Sequence, residues 1–344
     1  MTWDRGWLIH RYDRVTSTMD VAAQHARFGA PDRTVVVTDE QTHGRGRGGR
    51  TWHSPPGDSL ACTLLLRPPV SPDRLSALPL VTGVAVAEAI EQVAGIPARL
   101  KWPNDVWIGT DPDRRKVAGI LMTSSLMKGA VDHVLVGIGI NVRGQHADLP
   151  PGATSIVAAT TALKANRVML SASEASRAAA NNPGIEARSF CTFPQRSDTE
   201  MVSFRRRRNL GAPGASVRGD HEIPRKLGMT PSPCRGTQDD TMSPKHDGHD
   251  LTPSVLFAVL LDRFDQAYAD FLATRGQPSL NAWIDRAVLR GEPVTIEDAG
   301  RHRSGIFVGI DDDGALLLQE SAATITRVVA GDVIRGPRAA TQLG

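Results

Sequence analysis

The sequence predicts an α+β protein in which a mixed sheet with helices is followed by a small β-barrel. Short β-branched runs alternate with helical patterns and Gly/Pro turns between Val35 and Ile156. A long apolar helical stripe begins at Thr252, and the hydrophobic period changes to two from Gly291 onward. We therefore expect three parts, which are a main domain (1–156 with 251–288), an insertion (157–250) and a barrel domain (289–335).

The main domain is predicted from its apolar runs. Val35–Thr38, Leu60–Leu66 and Val134–Val142 are apolar enough to form buried strands. Leu75–Val93 carries apolar residues at helical spacing, which indicates a core helix.

After the insertion, two helices precede the barrel. Thr252 is the predicted N-cap of the first, with Pro253 at its first helical position. A second, shorter helix is predicted to follow Ser279. In the barrel domain, DDDG at 311–314 predicts a hairpin between two short strands.

Residues 157–250 have a different composition. They hold 14 Lys and Arg, 10 Asp and Glu and seven Pro, with four consecutive arginines at Arg205–Arg208. Only Thr160–Ala180 has a helical pattern, and it offers little apolar surface to bury. Such a composition rarely offsets the entropy of ordering, so we expect an insertion of low order. RNA binding through Arg205–Arg208 is the alternative to a solvated charge run.

Overall composition limits the class of protein. The formal net charge of the chain is +3, and it falls to −1 without the insertion (26 basic and 27 acidic residues). A balance this small predicts neither a nucleic-acid nor a membrane partner. Three cysteines, at 62, 191 and 234, form no disulfide framework or CxxC metal motif, which fits a reducing cytoplasm. The N-terminus has no signal-peptide pattern, and no apolar run reaches 18 residues.

The stretch Gln41–Gly57 contains the clearest candidate binding element. Glycine alternates with arginine from Gly44 to Arg50, a segment called the arginine loop from here on. Glycine lets the backbone approach an anion closely, and arginine offers a planar fork to phosphate or carboxylate. Because the segment occurs once, between two predicted strands, a ligand loop is favoured over an RGG-type nucleic-acid segment.

Three further motifs are ambiguous when taken singly. KWPND, 101–105, is either a structural turn with a packed Trp102 or a polar tip that presents Lys101, Asn104 and Asp105 to a substrate. Lys116 is either a solvated strand end or a charge aimed at an anion. GIGIN, 137–141, either packs backbone through its glycines or presents Asn141 to a ligand.

The order of these motifs resembles that of the biotin–protein ligases. The order is TSTMD (16–20), QTHGRGRGGR (41–50), KWPND (101–105), KVAGIL (116–121), GIGIN (137–141) and ATSI (153–156). The resemblance covers about 1–156 and 251–335. It implies a class II synthetase-like mixed sheet that binds biotin and ATP, followed by an SH3-like barrel.

The resemblance also implies an activity. Family members condense biotin with ATP to give biotinyl-5′-adenylate, with Mg²⁺ arriving on ATP and no other metal expected. They then pass the biotinyl group to a lysine of a biotin carboxyl carrier protein or of the carrier domain of a biotin-dependent carboxylase. A cytoplasmic protein with no specific DNA or membrane partner is expected, and a homodimer is left open.

By the same resemblance, site residues are assigned by role. The catalytic residues would be Lys116, Arg47, Asp105 and Lys101. Biotin would be bound by Ser17, Thr18, Met19, Gln41, Arg45, Gly46, Arg47 and Lys116. ATP and the adenylate would be bound by Arg45, Arg47, Trp52, Asn104, Lys116 and Asn141.

Two residues depart from the family pattern. Met19 stands where Asn is usual, and Gly48 stands where a basic residue is common. Because neither change touches the catalytic residues, we still expect activity, with altered retention of the adenylate.

Two other activities compete with this one. A lipoate–protein ligase shares the fold and the adenylation chemistry, and a non-catalytic protein could retain biotin without transferring it. Since the first ligand motif begins at Thr16, we expect no DNA-reading domain before it and no repressor function.

Overall fold

The computed structural model describes residues 2–4, 6–180, 251–298 and 300–335. Its helices are α1 (Thr18–Arg27), α2 (Leu78–Ala94), α3 (Ile156–Ala180), α4 (Pro253–Thr274) and α5 (Gln277–Arg286). The strands of the larger sheet are β1 (Thr2–Asp4), β2 (Trp7–Val15), β3 (Thr34–Arg45), β4 (Thr51–Ser54), β5 (Ser59–Leu66), β6 (Ala98–Lys101), β7 (Asp105–Ile108), β8 (Arg115–Met127) and β9 (Ala130–Asn141). The strands of the smaller sheet are β10 (Pro293–Asp298), β11 (Arg301–Ile310), β12 (Leu316–Ser321), β13 (Thr324–Val328) and β14 (Asp332–Arg335).

Two sheets organise the described chain, as the predicted α+β class requires. The larger sheet has the order β1-β2-β3-β5-β9-β8-β7-β6, with β4 paired to β3 beside this path. It is mixed because β2 and β3 run parallel while the other pairs are antiparallel. The smaller sheet is antiparallel throughout, in the order β13-β12-β11-β10-β14. The predicted fold class is confirmed.

Helices cover both faces of the larger sheet. Strand β9 shows the division, because Val134, Val136, Ile138 and Ile140 belong to the main hydrophobic core with α2 and α4. Leu135 instead joins a smaller cluster with α1 on the opposite face. Past Leu135, that opposite face continues with Gly137, which lies against Met19 of α1, and then with Gly139.

The predicted core helix is confirmed as α2. A 3-10 turn, Pro72–Ala77, precedes it, and Gly95 at φ 64° ends it in the left-handed conformation. The stretch 72–94 is long and apolar enough to cross a membrane by length and composition, but 72% of its most apolar 18 residues are buried inside the fold. It therefore packs as the central helix of the core.

Helix α3 starts earlier than the sequence predicted. Ile156 is its first residue, before the expected insertion boundary at 157, and the Ser155 hydroxyl caps it by accepting from Ala158 N at 3.1 Å. Ile156, Ala158 and Ala159 are buried, so the first turn of α3 belongs to the core. The helix prediction missed this turn because it relied on the Ala/Ser-rich stretch that follows Thr160. The remainder of the predicted insertion, 181–250 with Arg205–Arg208, lies outside the described residues.

The chain divides into two compact units, 1–173 with 245–344 and 174–244. Of the second unit, only the end of α3 is described. In the first, the two flanks of the predicted insertion lie at the end of β9. Val157 N donates to Val142 O at 3.1 Å, and Arg143 Nε donates to Leu251 O at 3.1 Å.

The second half of the fold follows its predicted start signals. Thr252 caps α4, because its hydroxyl accepts from Val255 N at 3.3 Å with Pro253 in the first turn. Helix α5 begins at Gln277, three residues before the predicted first residue, Leu280. The DDDG hairpin joins β11 to β12, with the Asp311 carboxylate accepting from two backbone amides of the turn.

The smaller sheet packs against the main domain at this hairpin. Trp102 of KWPND is 4% exposed and donates its indole N–H to Gly314 O at 3.1 Å. Ser76 donates to Asp313 O at 2.8 Å, and Trp283 meets Phe307 edge to face at 6.4 Å. The structural interpretation of Trp102 is therefore correct, while its motif neighbours reach the cavities described next.

Candidate active site

A cavity of about 430 Å³ opens on the α1 face of the larger sheet. Eleven of the predicted site residues line it: Ser17, Thr18, Met19, Gln41, Arg45, Gly46, Arg47, Trp52, Asn104, Lys116 and Asn141. Lys101 and Asp105 instead line a second cavity of about 380 Å³, which shares Arg50 and Asn104 with the first. The structure therefore brings the predicted residues together around two adjoining spaces.

Glycines form the floor of the first cavity. Gly119 of β8 and Gly139 of β9 are direct cross-strand partners, and Gly137 lies two residues before Gly139. The Trp52 indole lies on this floor, since a Cβ at Gly139 would lie 2.5 Å from its Nε1 and a Cβ at Gly119 would lie 3.3 Å from its Cζ3. The absence of side chains on the two strands thus makes room for the flat indole of Trp52.

One end of the cavity carries polar groups of α1 and β3. The Gln41 side-chain carbonyl accepts from Thr18 N at 2.9 Å and from the Thr18 hydroxyl at 3.1 Å. Thr63 donates to the Thr18 hydroxyl at 2.8 Å. The Ser17 hydroxyl is fully buried, lines the cavity and has no hydrogen-bond partner among the described residues. A buried hydroxyl of this kind indicates a ligand that supplies the missing hydrogen bond.

Met19 occupies the wall beside this polar end. Its side chain is 8% exposed, and its sulfur would lie 2.9 Å from a Cβ at Gly137. The thioether therefore packs on the glycine floor, where the family pattern would have placed an amide.

The other end of the cavity is cationic. Lys116 lies there, with its Nζ 2.6 Å from an Asp105 carboxylate oxygen and 5.8 Å from the centroid of the Trp52 ring. Burial lowers the pKa of Lys101, while the carboxylate of Asp105 opposes that shift. Lys116 is thus already paired with a carboxylate from KWPND.

The arginine loop borders the cavity with tight backbone geometry. Gly46 N donates to Arg50 O at 2.7 Å, and a 3-10 turn spans Arg47–Gly49. Gly48 and Gly49 have φ of 61° and 74°, in the left-handed region that favours glycine. The second departure from the family pattern, Gly48, therefore matches the backbone that this loop adopts.

Asparagine side chains hold the surrounding backbone. Asn104 Nδ2 donates to Ile120 O at 2.7 Å, while its Oδ1 accepts from Arg47 at 3.2 Å. Asn141, 5% exposed, donates to Thr154 O at 3.0 Å. Both line the cavity as predicted, and the contacts that the structure gives them go to protein atoms.

Several cavity residues were missed by the sequence analysis. They are Arg50, Thr51, His53, Cys62, Trp107, Gly119, Ile120, Leu121, Gly137, Ile138, Gly139 and 150–153. Most of them neighbour a predicted motif, so strand alternation within KVAGIL and GIGIN could have identified the inward-facing glycines. Asp20 and Asp332, which pair with the arginine loop, carried no signal of that role.

Family models match both parts of the chain. The model of the biotin/lipoate A/B protein ligase family matches residues 12–141, and the model of the biotin protein ligase C terminal domain matches residues 290–336. These ranges correspond to the larger sheet and to the smaller sheet.

Relatives and solved structures agree with these matches. A biotin–[acetyl-CoA-carboxylase] ligase of Paracoccus denitrificans is 29% identical over 289 residues, which is 83% of this chain and 84% of that relative. The bifunctional ligase/repressor BirA of Bacillus subtilis (strain 168) is 41% identical over 139 residues, or 40% of this chain; the match spans 42% of that relative's length. A biotin protein ligase from Aquifex aeolicus, solved with biotin and ATP, has the same fold, with a TM-score of 0.58 at 22% identity over 95% of this chain and 97% of that one. The chain carries the ligase domain followed by the C-terminal domain, and its fold is that of a solved biotin protein ligase. It therefore belongs to the biotin protein ligase family.

Proposed function

We propose that this protein activates biotin with MgATP and transfers the biotinyl group to a lysine of a biotin carboxyl carrier domain. The observation that carries the proposal is a cavity lined by buried hydroxyl and amide groups, by a glycine floor and by the cations Lys116, Arg45 and Arg47. Biotin has the matching form, because its polar ureido ring, its apolar thiophane ring with the valeryl chain, and its carboxylate succeed one another along the molecule.

The polar end is suited to the ureido ring. Ser17 offers its buried hydroxyl, and Thr18 and Gln41 form a fixed hydrogen-bonding group beside it. Burying ureido nitrogen and oxygen atoms is favourable only where such partners exist. Lipoate has no ureido group and would leave the Ser17 hydroxyl without its partner.

The cationic end is suited to the first chemical step. A biotin carboxylate oxygen attacks the α-phosphorus of ATP, the new P–O bond forms, and pyrophosphate leaves with the electrons of the broken bond. Two anions must approach each other, so Lys116 and Arg47 would neutralise the carboxylate and the phosphate. The arginine loop would then cover the mixed anhydride and keep water from it.

The Lys116–Asp105 pair suggests how the second step follows. When Lys116 turns to the adenylate phosphate, the Asp105 carboxylate loses its partner at 2.6 Å and becomes a base. The acceptor lysine loses a proton to Asp105, its nitrogen forms the amide bond with the biotinyl carbonyl carbon, and AMP leaves. The second cavity, lined by Lys101, Asn104 and Asp105, would admit that lysine.

The remaining assignments complete the proposal. Trp52 and Asn141 would lie on the adenine side of the cavity, with Asn104 fixing Arg47. The partner would be a carrier protein or domain of a biotin-dependent carboxylase. We place the enzyme in the cytoplasm because its three cysteines form no disulfide framework.

Incubation of the full-length protein with biotin, MgATP and a carrier domain tests the proposal, with streptavidin blotting of the carrier. We expect labelling that requires both biotin and ATP, and pyrophosphate release with biotin but not with lipoate. Pyrophosphate release with lipoate alone would identify a lipoate ligase. Thermal stabilisation by biotin without any turnover would identify a non-catalytic binding protein.

A further inference from the structure

Two carboxylates to which the family resemblance assigns no role, Asp20 and Asp332, hold the arginine loop at its two ends. At its start, Arg45 forms two contacts with Asp20 of α1, at 2.6 and 2.7 Å. Asp20 belongs to the first turn of that helix, next to the residues of the polar end. This contact directs the Arg45 guanidinium toward α1.

At the other end, the loop is held by the smaller sheet. One Asp332 oxygen lies 3.2 Å from Arg47 Nη1, and the other accepts from Arg50 Nη2 at 2.9 Å. Arg47 also donates to the Gly331 carbonyl at 3.2 Å. A single carboxylate at the start of β14 therefore holds two arginines that are 282 and 285 residues away in the chain.

The loop needs such contacts because its backbone is intrinsically free. Four of the seven residues from Gly44 to Arg50 are glycine, which loses the most conformational entropy on ordering. Three arginines so close together also repel one another until anions neutralise them. The side chains of Asp20 and Asp332 are 38% and 45% exposed, so each contact is weak enough to break and sensitive to salt.

We propose that Asp20 and Asp332 are positioning residues that fasten the arginine loop over the cavity, so that the smaller sheet takes part in closing the site. The fastening follows from the contacts alone, while its consequence for a bound adenylate rests on the proposed function. Neither residue touches the reacting atoms in this scheme. They act through Arg45, Arg47 and Arg50.

Limited trypsin digestion of the ligand-free full-length protein tests the fastening. Trypsin must bind an arginine guanidinium, so a fastened arginine is protected, and mass spectrometry can follow the cuts at Arg45, Arg47 and Arg50 separately. We expect Asp332→Asn to speed cleavage after Arg47 and Arg50 about fivefold, and Asp20→Asn to do the same after Arg45. The double variant should show both increases.

Matched controls separate fastening from general loosening. Asp265→Asn removes a surface pair of similar length, 2.9 Å to Arg33, away from the loop, and its loop cleavage should equal that of the parent. Asp20→Glu and Asp332→Glu should restore part of the protection. Loop cleavage within twofold of the parent in both Asn variants would overturn the proposal, as would equal acceleration in Asp265→Asn.

Adenylate release provides the functional measurement. We expect biotinyl-adenylate to dissociate about fivefold faster from Asp332→Asn, with a thermal midpoint equal to that of Asp265→Asn. Faster loop cleavage with unchanged adenylate dissociation would overturn the positioning role. If the parent forms no adenylate, the proposed function fails, and the cleavage pattern alone decides the fastening.

Discussion

Gly139→Ala tests whether ligand binding depends on the position of the Trp52 indole on the glycine floor. The added Cβ would lie 2.5 Å from Trp52 Nε1 and 2.7 Å from its Cζ2, with Cε2 closer still. Carbon atoms in contact need about 3.5 Å, so the indole must move by about 1 Å. Trp52 lies on β4, a four-residue strand paired with β3, and this strand can yield more easily than the strands beneath it.

Overpacking of this size typically costs about 1–3 kcal/mol. Because β4 can yield, we expect the cost to affect the cavity rather than the free energy of unfolding of the whole chain. Biotin binding should weaken by about 5- to 150-fold, which is the same energy expressed as a dissociation constant.

Isothermal titration with biotin measures this loss, and tryptophan fluorescence follows the displaced indole. Gly137→Ala is the matched control, because its Cβ would meet the flexible end of Met19, with Sδ at 2.9 Å. We expect a smaller effect there, below about fivefold. Biotin affinity within twofold of the parent in Gly139→Ala, or equal losses in the two variants, would refute the reasoning.

Three other predictions concern charge, packing and pH. Lys116→Met should lower biotin-dependent pyrophosphate release by about 10²–10³-fold, because a cation facing the developing charge is lost; a loss below tenfold would contradict this role for Lys116. Gly83 lies inside α2, and a Cβ added there would make an ordinary contact with Leu100 of β6 at 3.5 Å. Gly83→Ala should therefore raise the free energy of unfolding in urea by about 0.5–1 kcal/mol. A lower free energy of unfolding would show that the helix has no room for the added methyl group. Burial lowers the pKa of both His10 and His25, and the charge of His25 lowers that of His10 further. Below about pH 6.5 the unfolded chain therefore binds more protons, so the free energy of unfolding should fall as pH drops from 7 toward 5; His10→Gln should flatten that slope, and an equal slope in the variant would contradict the assignment.

Local signals were sufficient for most of the fold. The apolar stripe of α2, the Thr252–Pro253 start of α4 and the DDDG hairpin each depend on neighbouring residues, and each is confirmed. The start of α3 was missed because its first turn is stabilised by burial against the core and by the Ser155 cap, which no helical pattern reveals. Strand order likewise depends on contacts between distant segments.

Prediction of the site was limited in the same way, because a local motif does not report contacts between distant segments. Motif order identified residues that line two adjoining cavities, although the roles assigned to them stay predictions. The glycine floor was present in KVAGIL and GIGIN, yet its meaning depends on Trp52 lying across two strands. The contacts of Asp332 with Arg47 and Arg50 join residues 282 or more positions apart, and no local pattern reports such a pair.

The two flanks of the predicted insertion meet at one short stretch of backbone, Val142 and Arg143 at the end of β9. Because entry and exit are fixed there, the length of chain between them affects the entropy of closure only logarithmically. This point of the fold is therefore a natural place to shorten, extend or replace sequence, including insertion of a reporter domain, while the sheet that carries the cavity keeps its register.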